Sequence, residues 1–214
     1  MEVPPFFSKS IPVRHSQRDS RLIECDDAFG NFETEVLLEW LIGDRKNDIR
    51  YSLARVLHSD DVQKHFNRVI IDALPRMTTG FVNALCASAD LIVPFVLDVL
   101  SAERVGLFVR TMRRMRGQLF PHLELAGVVG TMKDDGTEKL RDAEQRAILE
   151  AKDGVFHNWG TGDYVLEDVL IPRRQSIANA AGVGVDLDVA SVFDPLGETL
   201  FHRTASSKQH SAAA

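Results

Sequence analysis

The sequence predicts an α/β fold in which a parallel sheet is covered by helices. Three observations predict it. From residue 69 onward, short apolar runs at Val69–Asp72, Leu91–Val96 and Leu125–Val129 alternate with stretches of helical period, the pattern of strand–helix–strand crossovers. The second and third runs are apolar almost throughout, as strands covered on both faces must be. The first, Arg68-Val-Ile-Ile-Asp72, ends in an acid. A strand there delivers a carboxylate to its C-terminal tip, where open α/β sheets place their ligands.

Each element has its own signal. Residues 1–20 are polar and broken by Pro4, Pro5 and Pro12, a loosely ordered lead-in. Arg21 to Glu24 reads as a short strand. Glu33 to Ile42 places Val36, Leu37, Trp40 and Leu41 at helical spacing, with Gly43 as a stop. Asp48 to Leu57 repeats the pattern, and Ser59 caps a short helix ending near Phe66. After the strand at Val69–Asp72, Thr78 or Thr79 caps a helix to about Ala89. Leu91–Val96 is a strand. Ser101 caps a longer helix with Val105, Phe108, Val109, Met112 and Met115 on one face. Leu125–Val129 is a strand, Leu140–Ala151 an outer charged helix and Val165–Ile171 a fourth strand. Ser176–Ala181 and Asp188–Phe193 are short helices. Asp194-Pro195 then fits a cap followed by proline at the start of a last helix. One domain is expected over 21–204, with a disordered tail over 205–214.

Composition narrows the function. Net charge is −6, so bulk charge gives no general attraction to nucleic acid or anionic membrane, although a local basic patch still could. No apolar run reaches the length of a membrane span, and the N-terminus lacks the charged start and apolar core of a signal peptide. The two cysteines, Cys25 and Cys86, make neither a disulfide framework nor a metal spacing. A cytoplasmic location with reduced thiols is the simplest expectation.

From Val69 to Thr131 the motifs become specific. Val-Ile-Ile-Asp72-Ala-Leu-Pro75 is followed by Thr79-Gly-Phe-Val-Asn83-Ala-Leu and Ala89-Asp90-Leu-Ile-Val-Pro94. Leu100-Ser-Ala-Glu103-Arg-Val-Gly106, Leu125-Ala-Gly-Val-Val-Gly-Thr131-Met132 and Leu170-Ile171-Pro172-Arg173 continue the series. Over about residues 22–200 the chain resembles the ParA/MinD family of partitioning ATPases, whose order is a Walker B strand, a D-x-P-P switch, an N-A-L helix and an A-D-x-x-I/V-x-P strand. The resemblance implies a P-loop NTPase-like fold. It also implies an ATP- and Mg²⁺-dependent switch that dimerises around nucleotide, binds DNA non-specifically and helps segregate plasmids or chromosomes.

Carried over by position, the resemblance makes Asp72 the Walker B acid and catalytic residue, holding Mg²⁺ through water. Pro75 belongs to the switch that senses the γ-phosphate. Thr131, Met132 and Pro172 line the nucleotide base pocket, and Arg173 and Arg174 lie on the DNA-facing surface. Two departures stand out. The switch reads D-A-L-P, with Leu74 where the family has proline. The family also opens with a strand and a K-G-G-x-G-K-S/T loop that cradles phosphate. None of the lysines in this sequence follows a glycine. The first strand and phosphate loop are therefore expected to be missing, with Met1 an internal or displaced start. Without that first strand, the chain is expected to remodel, pair with another chain or be unstable.

Competing readings are bland. Taken in isolation, Asp72 is a strand-end acid capping the next turn; the flanking motifs favour the Walker B origin. Arg110, Arg113, Arg114 and Arg116 could touch DNA phosphates, but the solvated face of an amphipathic helix is favoured. Gly182-Val-Gly184 is a turn, not a dinucleotide loop. The histidines have no metal spacing. Cys86 is a buried small hydrophobe, and Trp40 and Trp159 are packing residues.

The functional expectation is a ParA-like protein, truncated or degenerate, that does not hydrolyse ATP alone and holds either ATP with Mg²⁺, as the resemblance implies, or no cofactor. Its partner would be a second copy or a full-length ParA-like chain, with DNA bound non-specifically at the nucleoid and no membrane. The alternatives are a non-enzymatic interaction protein that modulates a full-length relative, and a split gene product without independent function.

Overall fold

The strand and helix signals after residue 89 close on one sheet because their apolar residues alternate between its faces. The computed structural model describes residues 11–12, 21–22, 28–44, 46–74, 76–135, 139–183 and 187–211. The chain forms two compact units, 1–89 and 90–214. This boundary falls inside the range expected to be one domain.

In the first unit, β1 (Ile11–Pro12) pairs antiparallel with β2 (Arg21–Leu22). Helices follow: α1 (Ala28–Leu41), a single 3-10 turn (Ile49–Tyr51), α2 (Ser52–Leu57), α3 (Asp60–His65) and α4 (Thr79–Ala87). Thr78 caps α4 by accepting from Phe81 N at 3.2 Å, as its sequence predicts. Buried Asn83 fastens this unit. Its amide donates to Ile49 O at 2.8 Å and Thr79 O at 2.9 Å, and its oxygen accepts from Leu53 N at 3.0 Å. An apolar residue there would remove all three of these bonds. Cys86 is buried beside it, and desolvation pushes its thiol pKa up.

Val69–Asp72 does not form the expected strand. Val69 and Ile70 are exposed, at 48% and 89%, as are Leu74 and Asp72. A buried-strand composition yields a strand only where a neighbouring ladder accepts its backbone groups, and these residues have no ladder partner among the described residues.

The second unit contains the parallel sheet: β3 (Asp90–Val96), β4 (Glu124–Lys133) and β5 (Ile171–Pro172), in the order β3–β4–β5. The fourth expected strand shrinks to β5 and an isolated bridge between Val128 and Val165. A β-bulge at Ala126 separates the pairs Leu91–Leu125 and Ile92–Gly127. Leu91, Val93, Phe95, Leu125 and Val128 consequently share one face. They pack with Ala102, Val105 and Val109 of α5 (Val99–Leu119) and with Ala147, Ile148, Ala151 and Val155 of α6 (Asp142–Trp159). On the opposite face, Val129, Leu166 and Ile171 pack with Ile177 of α7 (Gln175–Val183) and with Val192, Leu196 and Leu200 of α8 (Leu187–Ser211). At β3 that second face is open, with Ile92 and Val96 each more than two-fifths exposed.

Three boundaries differ from expectation. Asp98, not Ser101, caps α5, accepting from Ser101 N at 2.8 Å and Ser101 Oγ at 2.9 Å. One helix, α8, runs through Pro195, so the proline is interior and removes one N–H from the helical ladder. The same helix continues to Ser211, into the expected tail.

Helices α5 and α6 meet backbone to backbone. A Cβ on Gly154 would lie 2.8 Å from Gly106 Cα, and one on Gly106 would lie 3.1 Å from Gly154 Cα. Only glycine permits this approach, and the Asn158 amide bonds the carbonyls of Gly154 (2.7 Å) and Gly106 (3.4 Å). Gly154→Ala is expected to cost about 1–3 kcal/mol through overpacking, despite alanine's better helix propensity. Gly117→Ala, on the same α5 with nothing within 4 Å, should gain up to about 1 kcal/mol. Urea unfolding of the two variants checks the opposite signs.

Candidate functional site at the C-terminal edge of the sheet

Parallel strands β4 and β5 end side by side, and the base-pocket candidates end with them. Thr131 pairs with Ile171 and Lys133 with Pro172, so Met132 is bulged out between the two rungs. Its φ is 61°, the only positive φ at a non-glycine residue among those described. Side chains in the left-handed region carry strain, and both bulges and strain gather at sites where strand ends meet ligands. The Met132 side chain is exposed and Pro172 is half-buried. Thr131 Oγ1 is turned inward, donating to Phe95 O at 2.9 Å, so it braces β3 to β4 and its hydroxyl proton is committed. Thr131, Met132 and Pro172 are thus brought together, as the sequence predicts.

The loop after β4 is held from below by a residue that the sequence reading did not single out. Glu144, buried in the first turn of α6, accepts from Asp134 N and Arg141 N, each at 2.8 Å. Asp134 also forms an ion pair with Arg141. The sequence signal was available: an acid three residues into a helix, placed to receive N-terminal amides.

The arginine candidates lie at the same edge. Arg173 N donates to Lys133 O at 2.8 Å, and its side chain is exposed. Arg174 makes a bidentate pair with Asp135, Nε to Oδ2 at 2.7 Å and Nη2 to Oδ1 at 3.2 Å. The guanidinium holds the Asp135 carboxyl below its ordinary pKa, and the carboxylate raises that of Arg174.

Three of the four clustered arginines of α5 have structural work. Arg110 donates to Asn158 Oδ1 at 3.3 Å and Arg113 to Asn158 O at 2.8 Å, at the C-terminal end of α6, where cations favour the helix dipole. Arg116 pairs with Glu124 and stacks 5.5 Å over the Trp159 ring. Arg114 is exposed. The solvated-face expectation is therefore incomplete, since three of them tie α5 to its neighbours.

Asp72 belongs to the first unit and lies in an exposed loop. Pro75 lies outside the described residues. No cluster of three or more acids, histidines or cysteines able to hold a cation occurs among the described residues. Magnesium is held by one or two carboxylates together with substrate phosphates, so Asp72 alone fits only half of such a site. No helix among the described residues is long and apolar enough to cross a membrane.

No family model matches the chain. Over 134 residues it is 32% identical to the chromosome partitioning protein ParA of Caulobacter vibrioides, covering 63% of this chain and 46% of that protein. Over this stretch the chain is similar to the ParA/Soj partitioning proteins. It is also 28% identical over 119 residues to the chromosome-partitioning ATPase Soj of Thermus thermophilus, covering 56% of this chain and 43% of Soj. It thus spans less than half the length of these two relatives. A Cyanothece McdA variant solved in complex with ATP shares the fold, with a TM-score of 0.63 and 18% identity over 84% of this chain and 65% of McdA.

Two outcomes follow from this geometry. Glu144→Ala strips two amides of their acceptor and should cost roughly 1–3 kcal/mol in urea unfolding. The Asp135–Arg174 pair has a depressed carboxyl pKa, so it is intact above the ordinary carboxylate range and lost as pH falls through the lowered value. Carboxyl NMR should place the Asp135 midpoint below that of an Arg174→Ala variant, where it returns toward about 3.9. The reverse order would refute the pairing.

Proposed function

We propose that this chain supplies the base-binding and DNA-facing edge of a ParA-type nucleotide switch and does not hydrolyse ATP by itself. The observation that supports this most is the convergence of Thr131, strained Met132 and Pro172 where β4 and β5 end, in a chain 32% identical to a ParA. The exposed thioether of Met132 and the ring of Pro172 offer an apolar seat for a purine, and Thr131 fixes the separation of β3 and β4 around it. Arg173 and Arg174 would meet duplex phosphates from the adjoining corner. Bound ATP with Mg²⁺ would supply a polarised γ-phosphate. The residues here derive no transfer step: no K-G-G-x-G-K-S/T motif occurs in this sequence, and no other acids join Asp72 in a cation-holding cluster among the described residues. The candidates for dimerisation are a full-length ParA-like partner and a second copy of this chain. The compartment is the cytoplasm, at the nucleoid when DNA is bound.

One observation favours a second reading, a non-enzymatic chain that modulates a full-length relative. Val69, Ile70 and Leu74 flank Asp72 with exposed apolar surface, and grouped exposure of this kind marks protein contacts.

Calorimetry with ATP and Mg²⁺ tests the first reading. The chain should bind, Met132→Ala should weaken binding about two- to tenfold, a loss of about 0.4–1.4 kcal/mol, and phosphate release should stay at background. Asp72→Ala should weaken binding only when Mg²⁺ is present. No heat from a folded chain would reject the nucleotide reading and leave the modulator, which co-purification with a full-length ParA would then have to show.

A further inference from the structure

The corner formed by the end of β4 and the start of α7 carries three cations, Lys133, Arg173 and Arg174, and the acid that neutralises one of them comes from 39 residues away in sequence. Asp135 grips Arg174 with both carboxylate oxygens, while Arg173, tied only through its backbone to Lys133 O, has no ion pair for its side chain among the described residues. Asp134, the other acid of this loop, is already engaged by Arg141 and by the anchoring of the loop to Glu144. Asp188 of α8 also feels the charge of Arg174, and Lys133 that of Asp135.

Both partners of the pair are about two-fifths exposed. Exposed ion pairs are weak and screened by salt, whereas a duplex phosphate offers a guanidinium the same bidentate geometry with additional counterion release. The pair is therefore strong enough to orient Arg174 at rest and weak enough to be displaced.

We infer that Asp135 is a built-in competitor for the phosphates that Arg174 would otherwise hold, so that, among the described residues, this corner shows one guanidinium without an ion pair at rest and two once the carboxylate is displaced. The inference rests on the reading of Arg173 and Arg174 as duplex-phosphate contacts. It adds a regulator to that surface: whatever shifts the loop after Met132 changes the number of phosphates the chain can hold.

The test is fluorescence polarisation of a labelled mixed-sequence DNA duplex with the full chain, read across a series of salt concentrations. The variants are Asp135→Asn, Arg174→Ala, the two combined, and Asp188→Asn as a charge control. Asp135→Asn should bind about two- to fivefold more tightly, and its log-affinity against log-salt slope should steepen by about 0.9, one extra phosphate. Both gains should vanish in the Arg174→Ala background, and Asp188→Asn should leave the slope unchanged. An equal gain with and without Arg174 would reduce the effect to net charge and overturn the inference. If Arg174→Ala weakens binding but Asp135→Asn does not strengthen it, the competitor role falls while the DNA-facing surface stands. If neither the natural chain nor Asp135→Asn binds duplex at low salt, both fall together.

Discussion

The second unit depends on one constraint, the approach of α5 and α6 at Gly106 and Gly154. With no Cβ on either side, the helix backbones come close enough for both helices to sit over the same sheet face and share its apolar rows. Ala102, Ala147 and Ala151, all fully buried, continue this logic, since small residues keep the helices low over Val93, Phe95 and Val128. Asn158 locks the crossing by bonding a carbonyl on each helix, and its own oxygens receive Arg110 and Arg113. The crossing also fixes where α6 begins, and so where Glu144 stands to hold the loop that follows β4.

Much of this unit was legible. The continuous apolar composition of Leu91–Val96 and Leu125–Val129 named β3 and β4, and the periodic spacing from Val105 to Met112 named the buried side of α5. The residues that family motifs named as base-pocket candidates, Thr131, Met132 and Pro172, are neighbours in the structure because parallel strands β4 and β5 pair there. The failures share a cause, dependence on partners distant in sequence. Val69–Asp72 has a strand's composition but no ladder. The cap of α5 fell on Asp98, since either Asp98 or Ser101 could serve and only backbone geometry decides. Neither the left-handed Met132 nor the pairing of Asp135 with Arg174 has a local signature. The α5 arginines looked like solvated charge because the carbonyls they seek are on another helix.

The site is asymmetric in a chemically meaningful way. Its described part offers an apolar seat and cationic rim but no phosphate cradle, and phosphates are where ATP carries its charge. The depressed Asp48, Asp98 and Asp135 carboxyls are each explained by a capping or ion-pair contact.

The residue at the middle of β3 has a consequence for solubility. Leu97 N donates to Thr131 O and Phe95 O accepts from Thr131, so odd-numbered residues aim their backbone groups at β4 and Pro94 aims away, toward the edge that has no strand partner among the described residues. An open edge lined by Ile92 and Val96 would ordinarily template growth by successive copies. At Pro94 the rung has no hydrogen to offer, and any strand laid along that margin must skip a bond at its centre. The proline acts as a gap in the zipper, keeping an apolar margin available for a cognate surface while denying it to indiscriminate stacking.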